Sequence, residues 1–214
     1  MQIGILGTGV VGRTLGGGLA RNGHDVMLGG RSATNEKAAA WVRENASHGR
    51  QGTFADAASF GEIVFNCTSG GASLDALRLA GAANLSTKVL VDVANPLDFS
   101  RGTPPSLSVC NTDSLGEQIQ REFSNVRVVK ALNTMNADVM VDPGLVPGPH
   151  DVFVCGNDAG AKQRVTELLR SFGWAHIIDL GDITAARGME MILPIWLRLW
   201  GAFKTPHINF HIAH

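Results

Sequence analysis

Tyrosine is missing from this chain of 214 residues. Short-chain dehydrogenases use a tyrosine beside a lysine as their proton donor, so that mechanism is excluded. Charged residues are also scarce, at 17% against about a quarter in an average globular protein. The net charge is −1 and no run of like charges occurs, so neither a nucleic acid nor an anionic membrane is predicted as a partner.

Cysteines are few and widely spaced. Cys67, Cys110 and Cys155 fit neither a disulfide framework nor a metal site, so they predict free thiols in a reducing, cytoplasmic compartment. Long apolar runs are missing too, because the run from Met191 to Leu197 is too short to span a bilayer. We also expect no signal peptide, since the first strand is predicted to start at residue 2.

What the chain does contain is a regular alternation of apolar, strand-like runs with amphipathic stretches. This alternation is typical of a parallel sheet with helices on both faces. The predicted fold class is therefore α/β: a Rossmann-type, doubly wound, mainly parallel sheet with a small C-terminal strand-helix extension. We predict a ligand-binding domain at residues 1–142, whose ligand follows from the motifs below, and the extension at residues 143–214.

The predicted elements follow from hydrophobic periodicity and from turn residues. Strands are predicted at residues 2–6, 24–28, 52–54, 62–68, 88–93, 127–132, 151–156 and 176–180. Helices are predicted at residues 13–21, 34–46, 72–83, 114–123, 159–172 and 183–203.

The first strand runs into a motif of the form Gly-x-Gly-x-x-Gly, which consists of Gly7, Thr8, Gly9, Val10, Val11 and Gly12. Its first glycine permits a tight turn, its second lets the backbone approach a pyrophosphate, and its third lets the following helix pack closely on the strand. The helix N-terminus presents free N–H groups and a partial positive charge to phosphates. The motif therefore predicts a bound dinucleotide.

The end of the second strand indicates which dinucleotide binds. NAD-preferring proteins place a carboxylate about 20 residues beyond the glycines, where it holds the ribose hydroxyls. Here Gly29 and Gly30 stand at that position, and Arg31 and Ser32 follow. A guanidinium and a hydroxyl suit a 2′-phosphate, and Lys37 could add a second positive charge. We predict NADP(H) rather than NAD(H); the alternative is that Arg31 is an ordinary surface charge.

Ligands of doubly wound sheets bind beyond the carboxyl ends of the strands. The later strand ends that we expect there are residues 68–70, 94–97 and 133–137, which offer amides and apolar surface. Hydride transfer between a nicotinamide and a second planar ring requires close stacking without water, and neither an acid nor a base. We therefore assign no catalytic residue.

The histidines are not assigned to chemistry. His176 is interpreted as a strand or loop residue. His207, His211 and His214 form a C-terminal tail without nearby cysteines or paired carboxylates, so we assign no metal site.

The helix predicted at residues 183–203 is apolar on more than one face and contains Trp196 and Trp200. Such a helix is either buried or at an interface. We expect it to form a homodimer interface that also walls the active site, with an internal core helix as the alternative. Pro194 is expected to kink it.

The chain resembles the NADPH-dependent reductases of the deazaflavin coenzyme F420, a family that also includes the N-terminal cytosolic domain of the STEAP ferric reductases. The resemblance covers the whole length and is carried by residues 3–12, 29–32, 92–97, 129–134, 154–158 and 193–196. It implies a homodimer that moves a hydride between NADP(H) and a flavin-like ring. Archaeal members have His-Thr-Ile-Pro where this chain has Asn133-Thr134-Met135-Asn136, so the acceptor stays open among deazaflavin, FAD, FMN and other compounds.

The resemblance also implies cofactor contacts. These fall on Thr8, Gly9, Val10 and Val11 for the pyrophosphate, on Arg31, Ser32 and Lys37 for the 2′-phosphate, on Thr68 and Ser69 for adenosine and ribose, and on Asn95, Pro96, Asn136 and Ala137 for the nicotinamide.

Two other functions remain open at this point. A carbonyl or imine reductase of the hydroxyacid dehydrogenase type carries a large helical second domain with a catalytic lysine or aspartate, whereas the C-terminal part of this chain still alternates strand and helix. A non-catalytic NADP(H) sensor or partner-binding module would share the same cofactor site.

Overall fold

The computed structural model describes residues 1–213. Its strands are β1 (Gln2–Leu6), β2 (Asp25–Gly30), β3 (Gly49–Thr53), β4 (Ile63–Asn66), β5 (Val89–Asp92), β6 (Leu97–Asp98), β7 (Ser106–Leu107), β8 (Arg127–Ala131), β9 (Asp151–Cys155) and β10 (His176–Asp179). Its α-helices are α1 (Val10–Arg21), α2 (Glu36–Glu44), α3 (Phe54–Phe60), α4 (Ser73–Ala80), α5 (Ala82–Leu85), α6 (Leu115–Glu122), α7 (Ala137–Val141), α8 (Ala159–Ser171), α9 (Ala186–Met191) and α10 (Leu193–Phe203).

Eight of these strands form one sheet in the order β10-β9-β8-β5-β4-β1-β2-β3. From β3 to β8 all neighbours are parallel, β9 runs antiparallel to β8, and β10 is parallel to β9. The order from β3 through β1 to β5 is that of a dinucleotide-binding fold, in which the strand order reverses at β1. The predicted fold class is therefore confirmed.

The alternation of side chains along each strand builds two hydrophobic cores, one on each face of the sheet. In β1, Ile3 and Ile5 face the core that contains α1 and α8, whereas Leu6 faces the opposite core. In β5, Val91 and Leu90 divide in the same way. Both faces are covered, which is why these strands read as continuous apolar runs in the sequence.

Several short elements were not predicted, among them α3, α7 and the hairpin of β6 and β7. The predicted strand at residues 52–54 is wrong at its end, because Phe54 begins α3. Thr53 and Asp56 start that helix with a capping box, in which the Thr53 hydroxyl accepts a hydrogen bond from the Asp56 N–H at 3.1 Å. The small hairpin of β6 and β7 follows the tail of β5.

The predicted single helix at residues 183–203 is also wrong. A 3-10 turn at Ile183–Ala185 leads into α9, and the helical conformation is interrupted at Ile192 before α10 starts. Pro194 stands in the first turn of α10, where its missing N–H costs nothing. The expected kink is thus a break between two helices. Within residues 1–213, no helix is long and apolar enough to cross a membrane.

Candidate functional site

The glycine motif forms a tight loop between β1 and α1. Gly7 has a φ of +126°, and a Cβ there would lie 2.6 Å from the Cys67 carbonyl oxygen, so no other residue fits. A Cβ on Gly12 would lie 2.2 Å from the Gly7 carbonyl oxygen. The Arg13 guanidinium braces the loop, because it donates a hydrogen bond to the Thr8 carbonyl oxygen at 2.8 Å. The loop therefore holds the start of α1 in a fixed position.

This loop leaves an open cradle at the helix start. Gly9 is the N-cap of α1, and within the described residues no side chain caps that end. A Cβ on Gly9 would meet no protein atom within 4 Å, and Val10 is 63% exposed. Free helical N–H groups next to open space fit a phosphate group. Gly9 and Val10, two of the residues predicted to contact the pyrophosphate, lie at this open helix start.

The predicted 2′-phosphate residues lie beside the loop. A Cβ on Gly30 would lie 3.5 Å from the Thr8 methyl group, so the end of β2 adjoins the glycine motif. Arg31 and Ser32 follow directly and are exposed, and so is Lys37 in the first turn of α2. Two solvated cations and a hydroxyl thus stand on the β2 side of the cradle, with their donors available to an anion.

A cavity of about 370 Å³ opens at the tails of β4 and β5. It is lined by side chains and backbone of uncharged residues, namely Val11, Cys67, Thr68, Ser69, Gly70, Gly71, Val93, Ala94, Asn95, Leu97 and Phe99. Burial raises the pKa of the Cys67 thiol, so that group stays neutral. The cavity therefore offers a largely apolar space with one amide and two hydroxyls.

Three predicted nicotinamide residues do not line this cavity. Pro96 is buried and lines a neighbouring cavity of about 270 Å³. Asn136 is the N-cap of α7 and accepts a hydrogen bond from the Asp138 N–H at 2.9 Å. Ala137 is buried in the first turn of that helix. Of the four residues assigned to the nicotinamide, Asn95 is the one that faces the cavity directly.

Asn95 is held by a reciprocal amide pair. The Nδ2 of Asn95 donates to the Asn133 carbonyl oxygen at 2.8 Å. In return, the Nδ2 of Asn133 donates to the Oδ1 of Asn95 at 2.9 Å. The same Nδ2 of Asn133 also donates to the Met189 carbonyl oxygen at 2.8 Å. The Oδ1 of Asn133 is buried and has no hydrogen-bond partner within the described residues. A buried acceptor without a donor is costly, and a carboxamide N–H is the kind of donor that would satisfy it.

A buried ion cluster lies beneath the site. The Lys130 ammonium is fully buried, 2.7 Å from the Asp92 carboxylate, 2.8 Å from the Glu190 carboxylate, and 2.5 Å from the Ala94 carbonyl oxygen. Glu190 also accepts from the N–H groups of Leu115 and Gly116 at the start of α6. The cluster therefore ties the tails of β5 and β8 to α6 and α9.

The charges in this cluster stabilise one another. Burial alone would lower the pKa of Lys130, but the carboxylates of Asp92 and Glu190 raise it above its ordinary value. Burial raises the pKa of Glu190, and Lys130 opposes that shift. A buried cation is retained at such a site only when its partners compensate for lost hydration.

A second set of hydrogen bonds links this cluster to the cavity. Asn66 donates to Asp92 at 2.8 Å and to the Ser73 hydroxyl at 3.0 Å, and the Thr68 hydroxyl donates to the Oδ1 of Asn66 at 2.7 Å. The side chains of Asn66 and Asp92 thus bond to other side chains, and each also accepts a hydrogen bond at 3.3 Å from a nearby backbone N–H, that of Thr68 and that of Ala94 respectively. Thr68 is held with its hydroxyl in a fixed place at the cavity wall.

Lys130 and Glu190 were not selected from the sequence as functional residues. Glu190 did give a signal, because it is a carboxylate between two methionines in an apolar stretch. A charge in such a segment indicates a buried partner, but the identity of that partner depends on how α9 packs against the sheet.

The C-terminal histidines lie apart from the site. The Nδ1 of His211 is 3.2 Å from the Asp151 carboxylate at the start of β9, and the Nε2 of His207 is 3.8 Å from the Asp138 carboxylate. His176 is an exposed residue that starts β10. His214 lies outside the described residues.

Comparison with known proteins agrees with this geometry. The family model described as NADP oxidoreductase, coenzyme F420-dependent, matches residues 2–96. Metalloreductase STEAP3 of Rattus norvegicus is 32% identical over 206 residues. The match covers 96% of this chain but only 38% of that longer protein. The F420-dependent NADP reductase of Methanocaldococcus jannaschii is 28% identical over 225 residues, covering 100% of this chain and 99% of that protein.

A solved structure is more similar. The crystal structure of a candidate F420-dependent NADP reductase from Arthrobacter sp. FB24 is 55% identical, covers 100% of both chains, and superposes with a TM-score of 0.96. Identity and coverage at this level extend the similarity beyond the dinucleotide-binding half to the C-terminal helices.

Proposed function

Because the chain belongs to the family of coenzyme F420-dependent NADP oxidoreductases, we propose that it transfers a hydride between NADP(H) and a deazaflavin or flavin coenzyme. The observation that carries the proposal is the continuity of the site. The open helix start, the cationic end of β2 and the uncharged cavity at β4 and β5 lie side by side along one edge of the sheet. A dinucleotide with an extra phosphate requires this sequence of environments.

Each part of the site then has a role. The backbone from Thr8 to Val11 would hold the pyrophosphate, and Arg31, Ser32 and Lys37 would hold the 2′-phosphate. Thr68 and Ser69 would contact adenosine and ribose. Asn95 would bind the carboxamide, with Pro96, Asn136 and Ala137 shaping the backbone around it.

When bound, NADPH supplies a hydride to the acceptor ring, and a solvent proton completes the balance, so that NADPH, acceptor and proton give NADP⁺ and reduced acceptor. The protein's part is to stack the two rings and to exclude water. The apolar side chains of Val11, Val93 and Leu97 suit this role. A carbonyl reductase would require a proton donor beside the substrate, whereas the described lining of this cavity contains no carboxyl, imidazole, ammonium or phenol group.

The decisive experiment is an acceptor panel with purified wild-type protein. NADPH oxidation is followed with coenzyme F420, FAD, FMN, a ferric chelate, a ketone and an imine. We expect turnover with F420 or a flavin. Tight NADPH binding without oxidation by any acceptor would identify a sensor, and turnover with the ketone or the imine alone would support the carbonyl or imine reductase.

We also propose a homodimer formed through the C-terminal helix α10. Three of its large side chains are exposed in the single chain: Ile195 (49%), Trp200 (43%) and Phe203 (64%). Neighbouring exposed apolar residues of this size are typical of an interface. A cytoplasmic location belongs to the same proposal, and it is supported by the three free cysteines, which suit a reducing compartment.

A further inference from the structure

The hairpin of β6 and β7 carries an aromatic residue to the rim of the cavity. Leu97 pairs with Leu107, and the N–H and hydroxyl of Ser108 both donate to the Pro96 carbonyl oxygen, at 2.8 and 3.2 Å. The hairpin is thus anchored directly to the tail of β5, which also presents Asn95.

The segment that connects β6 to β7 begins with a turn, which is stabilised by two local hydrogen bonds. The Asp98 carboxylate accepts from the Ser100 N–H at 2.8 Å, and the Gly102 N–H donates to the Phe99 carbonyl oxygen at 2.9 Å. Gly102 has a φ of +95°, which favours glycine. The backbone of Phe99 therefore has a defined position.

Phe99 is 59% exposed, although it lines the cavity together with Val11, Asn95 and Leu97. An aromatic ring left in water at the mouth of an apolar cavity gives up burial that other phenylalanines of this chain obtain, as Phe65 does at 1% exposure. A planar ligand in the cavity would recover that burial.

Sheet order decides which part of the ligands Phe99 faces. β2, which ends directly before Arg31, lies on one side of β1, whereas β4 and then β5 lie on the other. The extra phosphate at β2 and the redox-active ring at β5 are thus at opposite ends of the site. Phe99 follows β5, so it belongs to the end where the hydride is exchanged.

We propose that Phe99 is a specificity-determining residue that stacks on the acceptor and selects a planar, fused-ring compound, a deazaflavin or flavin. The inference rests on the proposed function. The acceptor ring would lie between the nicotinamide and the Phe99 ring, in contact with Leu97. Aromatic rings stack on one another with a free energy beyond that of burial alone, and a small carbonyl compound has no extended face to offer.

The test compares Phe99→Ala, Phe99→Trp and the control Leu79→Ala, whose side chain is 60% exposed on α4. Three dissociation constants are measured by fluorescence titration: that of NADPH for the free protein, and those of F420 and of FMN for the NADP⁺ complex. We expect Phe99→Ala to weaken acceptor binding about tenfold or more, as removal of a stacking ring does elsewhere. The affinity of Phe99→Ala for NADPH should stay unchanged. Phe99→Trp should retain acceptor binding, and Leu79→Ala should behave as wild type.

Two results would overturn the inference. Unchanged acceptor affinity in Phe99→Ala would show that the ring is not stacked, and equal losses for NADPH and acceptor would show that Phe99 supports the site as a whole. If wild-type protein bound NADPH but neither F420 nor FMN, the proposed function itself would fail, so the wild-type titration separates the two failures. Thermal denaturation of each variant reveals a loss of folding, which the titration of NADPH also detects.

Discussion

Individual residues of this site act through small differences in charge and volume. Arg31 is the clearest case, because it is an exposed cation that directly follows the position where NAD-preferring proteins carry a carboxylate. Its guanidinium offers a planar fork of donors to a phosphate, while an NADH molecule presents only hydroxyls at that position. We therefore expect the preference for one cofactor over the other to depend mainly on this side chain, with Ser32 and Lys37 beside it.

We predict that Arg31→Glu weakens NADPH binding by ~1–3 kcal/mol and leaves NADH binding unchanged, because repulsion replaces a charge-assisted contact. Calorimetric titration of both cofactors measures this. Arg43→Glu is the matched control, since Arg43 is exposed in the last turn of α2 and should affect neither cofactor. Equal losses for NADPH and NADH would show that Arg31 does not contact the 2′-phosphate.

Lys130 acts in a different way, because it is buried and never reaches the cavity. It holds the Ala94 carbonyl oxygen and two carboxylates, and so fixes the strand tail that carries Asn95. Such a residue affects the site through geometry rather than through contact with a ligand.

At the scale of elements, substitutions in the loop between β1 and α1 distinguish effects on folding from effects on cofactor binding. We predict that Gly9→Ala folds normally, because its Cβ meets no protein atom, but loses roughly 1.4 kcal/mol or more of NADPH binding, a tenfold rise in Kd. Gly12→Ala should lose both binding and about 1–3 kcal/mol of stability, because its Cβ overlaps the Gly7 carbonyl oxygen. Chemical denaturation and NADPH titration of both variants provide the comparison. Normal NADPH affinity in a folded Gly9→Ala would contradict the pyrophosphate assignment.

A second element-scale contact joins α6 to α9 and depends on pH. The Arg187 guanidinium donates to both carboxylate oxygens of Glu117, at 2.8 and 2.5 Å, and this pairing lowers the pKa of Glu117 below its ordinary 4.5 despite partial burial. A carboxylate with a lowered pKa stabilises the fold above the pKa of its unfolded form and loses that contribution as the pH falls through its folded pKa.

We therefore predict that Glu117→Gln is less stable than wild type near neutral pH, and that the difference shrinks as the pH falls below 4.5. Urea denaturation across this pH range is the measurement. Glu44→Gln, an exposed position at the end of α2, should match wild type throughout. A stability difference that did not change with pH would exclude the ion pair as its source.

At the scale of the whole molecule, the C-terminal helices serve two ends. α9 reaches under the site through Glu190, and α10 carries apolar side chains on its outer face. Trp196 belongs to the inner face, because it is 5% exposed and its indole N–H donates to the Ile208 carbonyl oxygen at 3.2 Å. The buried and the exposed apolar side chains of this segment thus lie on different faces of α10, and only the exposed face is available for the proposed interface.

We predict that Trp200→Asp combined with Phe203→Asp converts a dimer to a monomer, because two charges replace apolar contacts. Sedimentation velocity reports the oligomeric state. Leu79→Asp, equally exposed on α4, is the control and should leave the dimer intact. An unchanged sedimentation coefficient in the double variant would place any interface elsewhere. Trp196 is left unaltered because it is buried, so its substitution could change folding as well as assembly.

The amino-acid sequence by itself determined the elements whose signals are local. A glycine motif between a strand and a helix, an arginine beside the position of a missing carboxylate and short apolar runs are all recognised over a few neighbouring residues, because backbone sterics and side-chain alternation act at short range. The parallel sheet was predictable for that reason, whereas the dinucleotide site and the cofactor preference stay predictions that rest on the same local signals. The boundaries of α3 and the break at Ile192 were not, since capping and proline effects compete with apolar periodicity.

Only the tertiary structure decided which distant residues meet. Lys130 contacts Glu190 because α9 folds back beneath β8. Phe99 lies at the cavity because a short hairpin is anchored to Pro96. The antiparallel β9 was also settled at this level, through its pairing with β8. Such contacts join segments far apart in the chain, and their free energy depends on burial and on partners that no local pattern specifies.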